Sequence, residues 1–403
     1  MRSSVFTAER RDSVKSRHSF PPQRPSRIAL PPIYLLTLIT VLNHISYLGS
    51  RILLSLYAIE LGARPFTIGI LVALYSAMPL LLSVYAGRLS DRIGHRLPML
   101  TGSIVAAFGM WLPWALPGEM ALYVSATLIG AGFCFFNIAM QALVGLISSP
   151  NTRAHNFSML TMGYALSSLI GPLVVGYSVE YAGHPKTYLV LAAITLVPIT
   201  LFSIKRLIPV APIVAGLHGE RSFMDLVRMP RLRAMFIASG VCVTGWDLFT
   251  FYMPIYGRSI SLSASTIGEI IAMFGVASFV ARFAMPAATR RFREEQLLAA
   301  SLYLAAATFA LYPFVENVPG LMLLAFTMGL GLGCGQPLTM LLTYARSPEG
   351  RAGEANGLRQ MANNVTHIFV PLFFGAIGSA FGLMPVFWTN TVFLATGGWF
   401  SRR

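Results

Sequence analysis

Gly87-Arg88-Leu89-Ser90-Asp91-Arg92-Ile93-Gly94-His95-Arg96 is a dense group of charged residues and glycines between two long apolar segments. The segment before it covers residues 66–86, and the segment after it covers residues 97–116. A connection this short has to turn sharply, and glycine permits the close backbone approach that such a turn needs. The pattern predicts a short charged loop between two helices at a membrane surface.

The composition of the whole chain agrees with a membrane protein. Of its 403 residues 55% are hydrophobic and only 11% are charged. Apolar runs of about twenty residues recur along the chain, and each is long enough to cross a bilayer as a helix. We therefore predict an all-α integral membrane protein with twelve spans. The predicted spans are 32–58, 66–87, 97–116, 120–147, 157–181, 187–205, 234–257, 265–288, 296–315, 319–345, 356–379 and 383–400.

The charged loop resembles the loop between helices 2 and 3 of the major facilitator superfamily of secondary transporters. The resemblance implies two six-helix bundles related by pseudo-two-fold symmetry. It also implies that Asp91 contacts the start of helix 11, because an anion is stabilised at the positive end of a helix. A loop that only carries positive charge at the inner surface is the alternative. The residues that match the family pattern and would form a cytoplasmic gate are Gly87, Asp91, Arg92, Gly94 and Arg96, together with Leu89.

The distribution of polar segments predicts the domain boundaries. Residues 1–30 are basic and rich in serine and proline, which is typical of a disordered tail. A polar, basic linker at 206–233 divides the rest into an N-terminal bundle, 31–205, and a C-terminal bundle, 234–403.

Basic residues are unequally divided between the two sides of the predicted membrane. With the amino terminus inside, 24 of the 30 Lys and Arg residues lie on the cytoplasmic side, and only Arg64, Lys186 and Arg258 lie on the opposite side. This asymmetry predicts that both termini lie in the cytoplasm. We expect a bacterial-type inner membrane protein. The asymmetry also explains the net charge of +15 without a nucleic-acid partner.

An internal repeat supports two related halves. Thr67-Ile68-Gly69 recurs as Thr266-Ile267-Gly268, at an offset of 199 residues. Parallel halves related by an axis along the membrane normal have this kind of repeat. Asp91 aligns with Arg290, so a gate built on Asp91 is asymmetric. Further pairs at the same offset are Gly130 and Gly329, Asn137 and Gln336, Pro172 and Pro371, and Gly176 and Gly375.

Two ionisable residues lie deep within predicted spans, Asp247 in the seventh and Arg51 in the first. Charges inside a membrane are energetically costly and mark functional sites by default. The repeat places the two residues at equivalent depths about one helical turn apart, so an ion pair between the halves is geometrically possible. We hypothesise that Asp247 is the proton-coupling carboxylate and Arg51 its partner. A static salt bridge is one alternative, and two unrelated positions are the other.

Polar and aromatic residues at mid-depth predict a substrate cavity lined by both halves. Their mixture suits a small organic molecule and does not suit a bare metal ion, which needs several carboxylates. For each residue alone, a hydrogen bond to a neighbouring helix is an equally good explanation. The predicted cavity residues are Asn43, His44, Tyr47, Asn137, Gln141, Trp246, Gln336, Arg359, Asn363 and His367.

The fifth predicted span is similar to the helix 5 motif of the drug:proton antiporter branch, G-x8-G-x3-G-P-x2-G-G. The match is partial, because serines replace the first two glycines and Val175 replaces one of the last pair. Tight packing around a proline kink is the alternative explanation. The matching residues are Ser167, Gly171, Pro172 and Gly176.

The sequence thus predicts a monomeric transporter that exports a drug, metabolite or siderophore-like molecule by proton antiport through alternating access. Its expected partners are a small-molecule substrate, protons and the lipid bilayer, with no cofactor and no metal. A proton-coupled importer of an organic acid or sugar is the main alternative, with Arg51 and Arg359 binding a carboxylate. A channel or a membrane-embedded enzyme is the alternative from another class of function. No lysine follows a glycine, so a phosphate-binding loop for ATP is absent.

Overall fold

The computed structural model of the chain describes residues 32–148, 152–204, 224–348 and 352–401. All but one of the α-helices in these ranges have 18 to 30 residues; the exception, α7, has five. The helices are α1 (Pro32–Glu60), α2 (Pro65–Ile93), α3 (Arg96–Ala115), α4 (Glu119–Ile147), α5 (Arg153–Ala182), α6 (His184–Ser203), α7 (Met224–Arg228), α8 (Pro230–Ser259), α9 (Ala264–Arg291), α10 (Glu294–Leu311), α11 (Val318–Arg346), α12 (Ala352–Phe381) and α13 (Leu383–Ser401).

The long helices confirm the predicted all-α membrane architecture. Within the described ranges, 11 helices are long and apolar enough to cross a membrane. The twelfth long helix is α13, which has 19 residues and corresponds to the last predicted span. Helix α13 contains three threonines and Asn390. Asn390 is nevertheless fully buried, because α13 packs against α8 and α10.

The charged stretch at Gly87–Arg96 differs from the predicted loop. Helix α2 continues as far as Ile93, and only Gly94 and His95 separate it from α3. Gly94 has φ +84°, which favours glycine and ends the helix there. A hydrogen bond joins Ser90 Oγ and His95 Nδ1, which lie 2.5 Å apart. It links the last turn of α2 to the two-residue connection that leads to α3. Residues 88–93, which lie beyond the predicted end of the second span, therefore extend α2.

The predicted linker, 206–233, is helical where the structure describes it, except at Met229. Helix α7 occupies Met224–Arg228, and α8 begins at Pro230. Proline suits the first turn of α8, since its missing N–H has no partner within the helix there. The predicted tail, 1–30, and most of the linker lie outside the described residues.

The two halves pack their helices in the same way. Helix α3 packs on α4 as α10 packs on α11, and α1 packs on α5 as α8 packs on α12. The halves meet through two equivalent pairs, α5 with α9 and α2 with α12. Two six-helix bundles related by pseudo-two-fold symmetry therefore make up the fold. We call α1–α6 bundle 1 and α8–α13 bundle 2.

Repeat-related glycines lie at the two contacts between the bundles. A Cβ atom on Gly268 would lie 2.5 Å from the Pro172 carbonyl oxygen, and a Cβ on Gly69 would overlap the Pro371 carbonyl oxygen. Residues 172 and 371 are themselves partners in the repeat. The absence of a side chain at these two glycines therefore lets α9 and α2 approach their partners to backbone contact.

Further contacts between the bundles cluster at one end of the molecule. We call this end the far side, because it is opposite to the end at which α1 begins and α13 ends. The described ranges show one such hydrogen bond nearer the termini, from Arg282 Nη1 to the Thr161 carbonyl at 3.1 Å. The bundles are thus held together mainly on the far side. The far-side hydrogen bonds are Phe66 N to Ser379 Oγ at 3.0 Å, Tyr177 Oη to Glu269 Oε1 at 2.6 Å, and Ser265 N to Glu180 Oε2 at 3.2 Å.

Candidate functional site

Asp247 lies near the middle of α8 and is completely buried. Its Oδ1 accepts a hydrogen bond from Arg51 Nη1 at 3.1 Å, and its Oδ2 lies 2.5 Å from His367 Nδ1. A carboxylate buried in this way needs charged or hydrogen-bonding partners, and both of its oxygens have one. We call Arg51, Asp247 and His367 the charged triad. Because Arg51 belongs to bundle 1, the triad joins the two bundles.

The polar stripe of α12 explains why His367 reaches Asp247. Arg359, Asn363 and His367 are spaced four residues apart and therefore share one helix face. All three contact α8. Asn363 Oδ1 accepts from Ser239 Oγ at 2.8 Å, Arg359 Nη1 donates to Ser239 Oγ at 3.2 Å, and His367 meets Asp247. The stripe is thus an interface inside bundle 2, with His367 at its membrane-centre end.

Arg359 has only neutral partners among the described residues. Besides Ser239, it donates from Nη1 to Gln336 Oε1 at 3.1 Å and from Nε to Asn356 Oδ1 at 3.3 Å. The predicted cavity residues Gln336, Arg359 and Asn363 therefore form one cluster. Sequence analysis missed Ser239, since a single serine in an apolar helix gives no signal before its neighbours are known.

The predicted cavity residues of bundle 1 form a second, separate cluster. Asn137 Oδ1 accepts hydrogen bonds from Tyr164 Oη at 2.7 Å and from Gln141 Nε2 at 3.2 Å. The His44 ring centre lies 4.8 Å from that of Tyr164, beside Tyr47, whose ring stacks on Phe133. Sequence analysis did not select Tyr164, although its aromatic ring completes this cluster.

Asn43 does not join that cluster. Its Nδ2 donates to Ser103 Oγ at 3.0 Å, and its side chain is buried between α1 and α3. The bond stays inside bundle 1 and has the form of a hydrogen bond between neighbouring helices, the alternative considered for each polar residue.

A cavity lies between the bundles beside the charged triad. Of the residues predicted for the site, Arg51, Pro172 and Trp246 line it. Asp247 and His367 do not line it, so the cavity contacts the triad through Arg51. The complete set of lining residues is Leu48, Arg51, Ile52, Ser55, Val72, Ser168, Pro172, Trp246, Thr250, Phe251, Ile271 and Phe274.

The predicted gate residues have different surroundings. Arg96 donates from Nε to the Phe202 carbonyl at 2.7 Å and from Nη2 to the Ser203 carbonyl at 2.8 Å. It therefore caps the carboxyl end of α6, where helix carbonyls lack partners. Arg92 is exposed, and Gly87 lies within α2 with open space beside it.

The expected contact of Asp91 with the start of helix 11 involves side chains outside the described residues. Gly94 has a conformational role, since it ends α2.

The antiporter-like motif of α5 presents two faces. Ser167 is fully buried and donates from Oγ to the Val41 carbonyl at 3.1 Å, so it faces α1 within bundle 1. Gly171 also faces α1, because its Cβ would lie 3.3 Å from the Ile45 carbonyl oxygen. Pro172 and Gly176 face α9 of bundle 2. The second half of the motif therefore belongs to the contact between the bundles.

Comparison with known proteins gives a family and a set of relatives. A family model described as Major Facilitator Superfamily matches residues 36–260 and 235–403. The chain is 24% identical to multidrug resistance protein MdtG of Dickeya zeae, over 83% of this chain and 84% of that protein. It is 24% identical to the class C tetracycline resistance protein of Escherichia coli, over 77% of this chain and 80% of the relative.

Solved structures agree with the fold. The nucleoside transporter NupG superposes with a TM-score of 0.78 at 12% identity, covering 92% of this chain and 98% of that one. A POT family transporter in complex with a thioalcohol-conjugated peptide gives a TM-score of 0.76 at 17% identity, covering 91% and 94%. Fold, repeat and family model lead to one conclusion: the chain belongs to the major facilitator superfamily and is a multi-pass membrane transporter, not an enzyme.

Proposed function

We propose that this transporter exports a small organic molecule in exchange for protons, by alternating access. The observation that carries the proposal is the burial of Asp247 between Arg51 of bundle 1 and His367 of bundle 2. A carboxylate at the contact between two moving bundles is placed to connect proton binding with their movement. Relatives named for multidrug and tetracycline resistance support export.

The coupling step follows from the charges of the triad. Ionised Asp247 attracts Arg51 across the bundle contact, at an Nη1–Oδ1 distance of 3.1 Å. A proton on Asp247 removes the negative charge, and with it the ionic attraction between the bundles. Arg51 and Asp247 belong to different bundles, so movement of the bundles separates the pair. Exposure of the triad to each side in turn then lets a proton bind on one side and leave on the other.

The arrangement of contacts between the bundles supports a state of the transport cycle in which the outer entrance is closed. The proposed topology places both termini in the cytoplasm of an inner membrane, with 206–233 as the cytoplasmic linker and a monomer as the working unit. The far side is then the outer side, and its hydrogen bonds and glycine contacts close the outer entrance. Alternating access requires these contacts to break while the cytoplasmic ends close.

Everted membrane vesicles test proton antiport directly. The vesicles are acidified by respiration, and the recovery of acridine orange fluorescence on addition of tetracycline reports proton exit. We expect recovery with the wild type and none with Asp247→Asn. Glu295→Gln is the matched control, because Glu295 pairs with Arg346 away from the triad, at 3.0 Å. Equal recovery with the wild type and Asp247→Asn would refute the coupling role of Asp247.

Proton-coupled import of an organic acid is the second candidate. It is favoured by one observation, namely that the cavity meets the triad through Arg51 and not through Asp247. Accumulation of radiolabelled benzoate in right-side-out vesicles under an inward proton gradient distinguishes the two directions. Export predicts no accumulation above that of vesicles lacking the protein.

A further inference from the structure

The cavity between the bundles has a mostly apolar wall with one charged side chain in it. Arg51 is the charged residue among the described residues that line it, and no Asp or Glu accompanies it there. Ser55, Ser168 and Thr250 are neutral. The nearest carboxylate described, Asp247, has both oxygens occupied by Arg51 and His367 and no exposed surface. A ligand in this cavity therefore meets the guanidinium donors of an ion pair and no accessible carboxylate oxygen.

The guanidinium of Arg51 has hydrogen-bonding capacity left. Its Nη1 donates to Asp247, whereas its Nη2 is buried and has no hydrogen-bond acceptor within the described residues. A guanidinium only donates hydrogen bonds, so an acceptor is required to satisfy the remaining N–H groups. A buried charged donor without an acceptor is costly, and a ligand oxygen that reaches Nη2 removes this cost.

The rest of the wall is aromatic and aliphatic. Trp246 and Phe274 meet edge to face with ring centres 4.6 Å apart, and Phe251 lies on the same wall. Flat apolar rings pack well against such surfaces. The cavity has a volume of about 30 Å³ in this state, the space of about one water molecule. Once the bundles move apart and widen it, the wall selects for the body of the cargo, and Arg51 for its polar group.

We propose that the cargo has an aromatic or alicyclic body with a hydrogen-bond-accepting oxygen, optimally a carboxylate, and that Arg51 Nη2 binds this oxygen. The inference rests on the proposed function in taking the cavity as the cargo site. A lipophilic cation is disfavoured, because at Arg51 it would meet only hydrogen-bond donors and no accessible carboxylate oxygen. A carboxylate gains a charge-assisted hydrogen bond and competes with Asp247 for the same guanidinium.

Three matched probes separate charge from shape: 2-naphthoate, methyl 2-naphthoate and trimethyl(2-naphthylmethyl)ammonium. Binding is measured by titration calorimetry on the full chain in nanodiscs, with empty nanodiscs subtracted. We expect the carboxylate to bind at least about tenfold more tightly than the ammonium, since one charge-assisted pair is worth this much. The ester, a neutral acceptor, lies between them. Equal or tighter binding of the ammonium would overturn the proposal, as would no binding of any probe at millimolar concentration.

Variants assign the effect to Arg51. Arg51→Lys keeps the charge but loses the planar fork of donors, so we expect about tenfold weaker naphthoate binding. Asp247→Asn frees the guanidinium of its competitor and should tighten naphthoate binding without affecting the ester. Arg346→Lys, in an ion pair with Glu295, is the matched control and should bind all probes as the wild type does.

Unchanged naphthoate affinity in both Arg51→Lys and Asp247→Asn rejects Arg51 as the contact. If Arg51→Lys does not fold, the Asp247→Asn titration decides alone. No proton gradient is present, so the result is independent of whether the transporter exchanges protons or exports its cargo.

Discussion

Asp247 and His367 lie 2.5 Å apart, Oδ2 to Nδ1, although 120 residues separate them in the chain. Both belong to bundle 2, whereas Arg51 on the other carboxylate oxygen belongs to bundle 1. The carboxylate therefore has one partner on its own bundle and one on the opposite bundle. In the proposed transport cycle His367 stays with Asp247 when the bundles separate, so we propose the histidine as the proton donor or acceptor of the pair.

His367→Gln should change the pH dependence of transport while leaving a hydrogen-bonding side chain beside Asp247. Histidine is the side chain that ordinarily changes charge between about pH 5 and 8. Glutamine keeps a hydrogen-bonding side chain but cannot take up a proton at any pH in this range. We expect the transport rate of the wild type to vary across this range and that of His367→Gln to vary much less.

His184→Gln is the control for that experiment, since His184 pairs with Glu60 at the far side and not with the triad. Rates are measured in proteoliposomes with equal pH on both sides and a fixed cargo gradient. Identical pH profiles for the wild type and His367→Gln would contradict a role of His367 in proton transfer.

Gly268→Ala should open the far side. The added Cβ would lie 2.5 Å from the Pro172 carbonyl oxygen, a contact that real Cβ atoms do not make. The backbones of α5 and α9 must then separate, and overpacking of this kind costs about 1–3 kcal/mol. We expect faster labelling of a Ser379→Cys reporter by a membrane-impermeant maleimide.

Gly357→Ala provides the comparison for Gly268→Ala, because nothing lies within 4 Å of a Cβ at Gly357 in α12. Its labelling rate should match that of the reporter alone. A Gly268→Ala protein that labels no faster than Gly357→Ala would show that the glycine contact does not hold the far side closed.

The parts of this structure that could be predicted are those that depend on local pattern and on the repeat. Apolar runs give the helices, and the depth of Asp247 and Arg51 allowed their ion pair. The contact of His367 with Asp247 could not be predicted, since it depends on how α12 is rotated about its axis against α8. The loop prediction at Gly87–Arg96 was too long because glycine and charge do not by themselves end a helix that is packed on its neighbours.

Glu180→Gln should weaken the closure of the far side in a different way. Glu180 Oε2 accepts from the Ser265 backbone N–H at 3.2 Å, in the first turn of α9. A carboxylate at this place interacts favourably with the positive end of the helix, and an amide does so less. We expect faster labelling of the same Ser379→Cys reporter, with a smaller increase at high ionic strength because salt screens an exposed charge.

Glu269→Gln removes a carboxylate charge from the far side but keeps the hydrogen-bond acceptor of that side chain. Glu269 accepts from the Tyr177 hydroxyl at 2.6 Å, and a glutamine carbonyl preserves that acceptor. Its labelling should be close to that of the wild type and insensitive to salt. Salt-dependent labelling in Glu269→Gln but not in Glu180→Gln would reverse the assignment.

Arg96→Ala should lower stability more than transport. Arg96 donates to the last two carbonyls of α6 at 2.7 and 2.8 Å, and both contacts lie within bundle 1. Loss of a charged donor from these carbonyls, one partly buried and one exposed, costs about 1.5 kcal/mol. We expect a lower unfolding temperature in detergent, with the transport rate per folded molecule retained. Arg92→Ala removes an exposed arginine from the same turn and should leave the unfolding temperature unchanged. If Arg96→Ala instead abolished transport at wild-type stability, its role would be gating, because a capping residue acts on the folded state and not on the transport cycle.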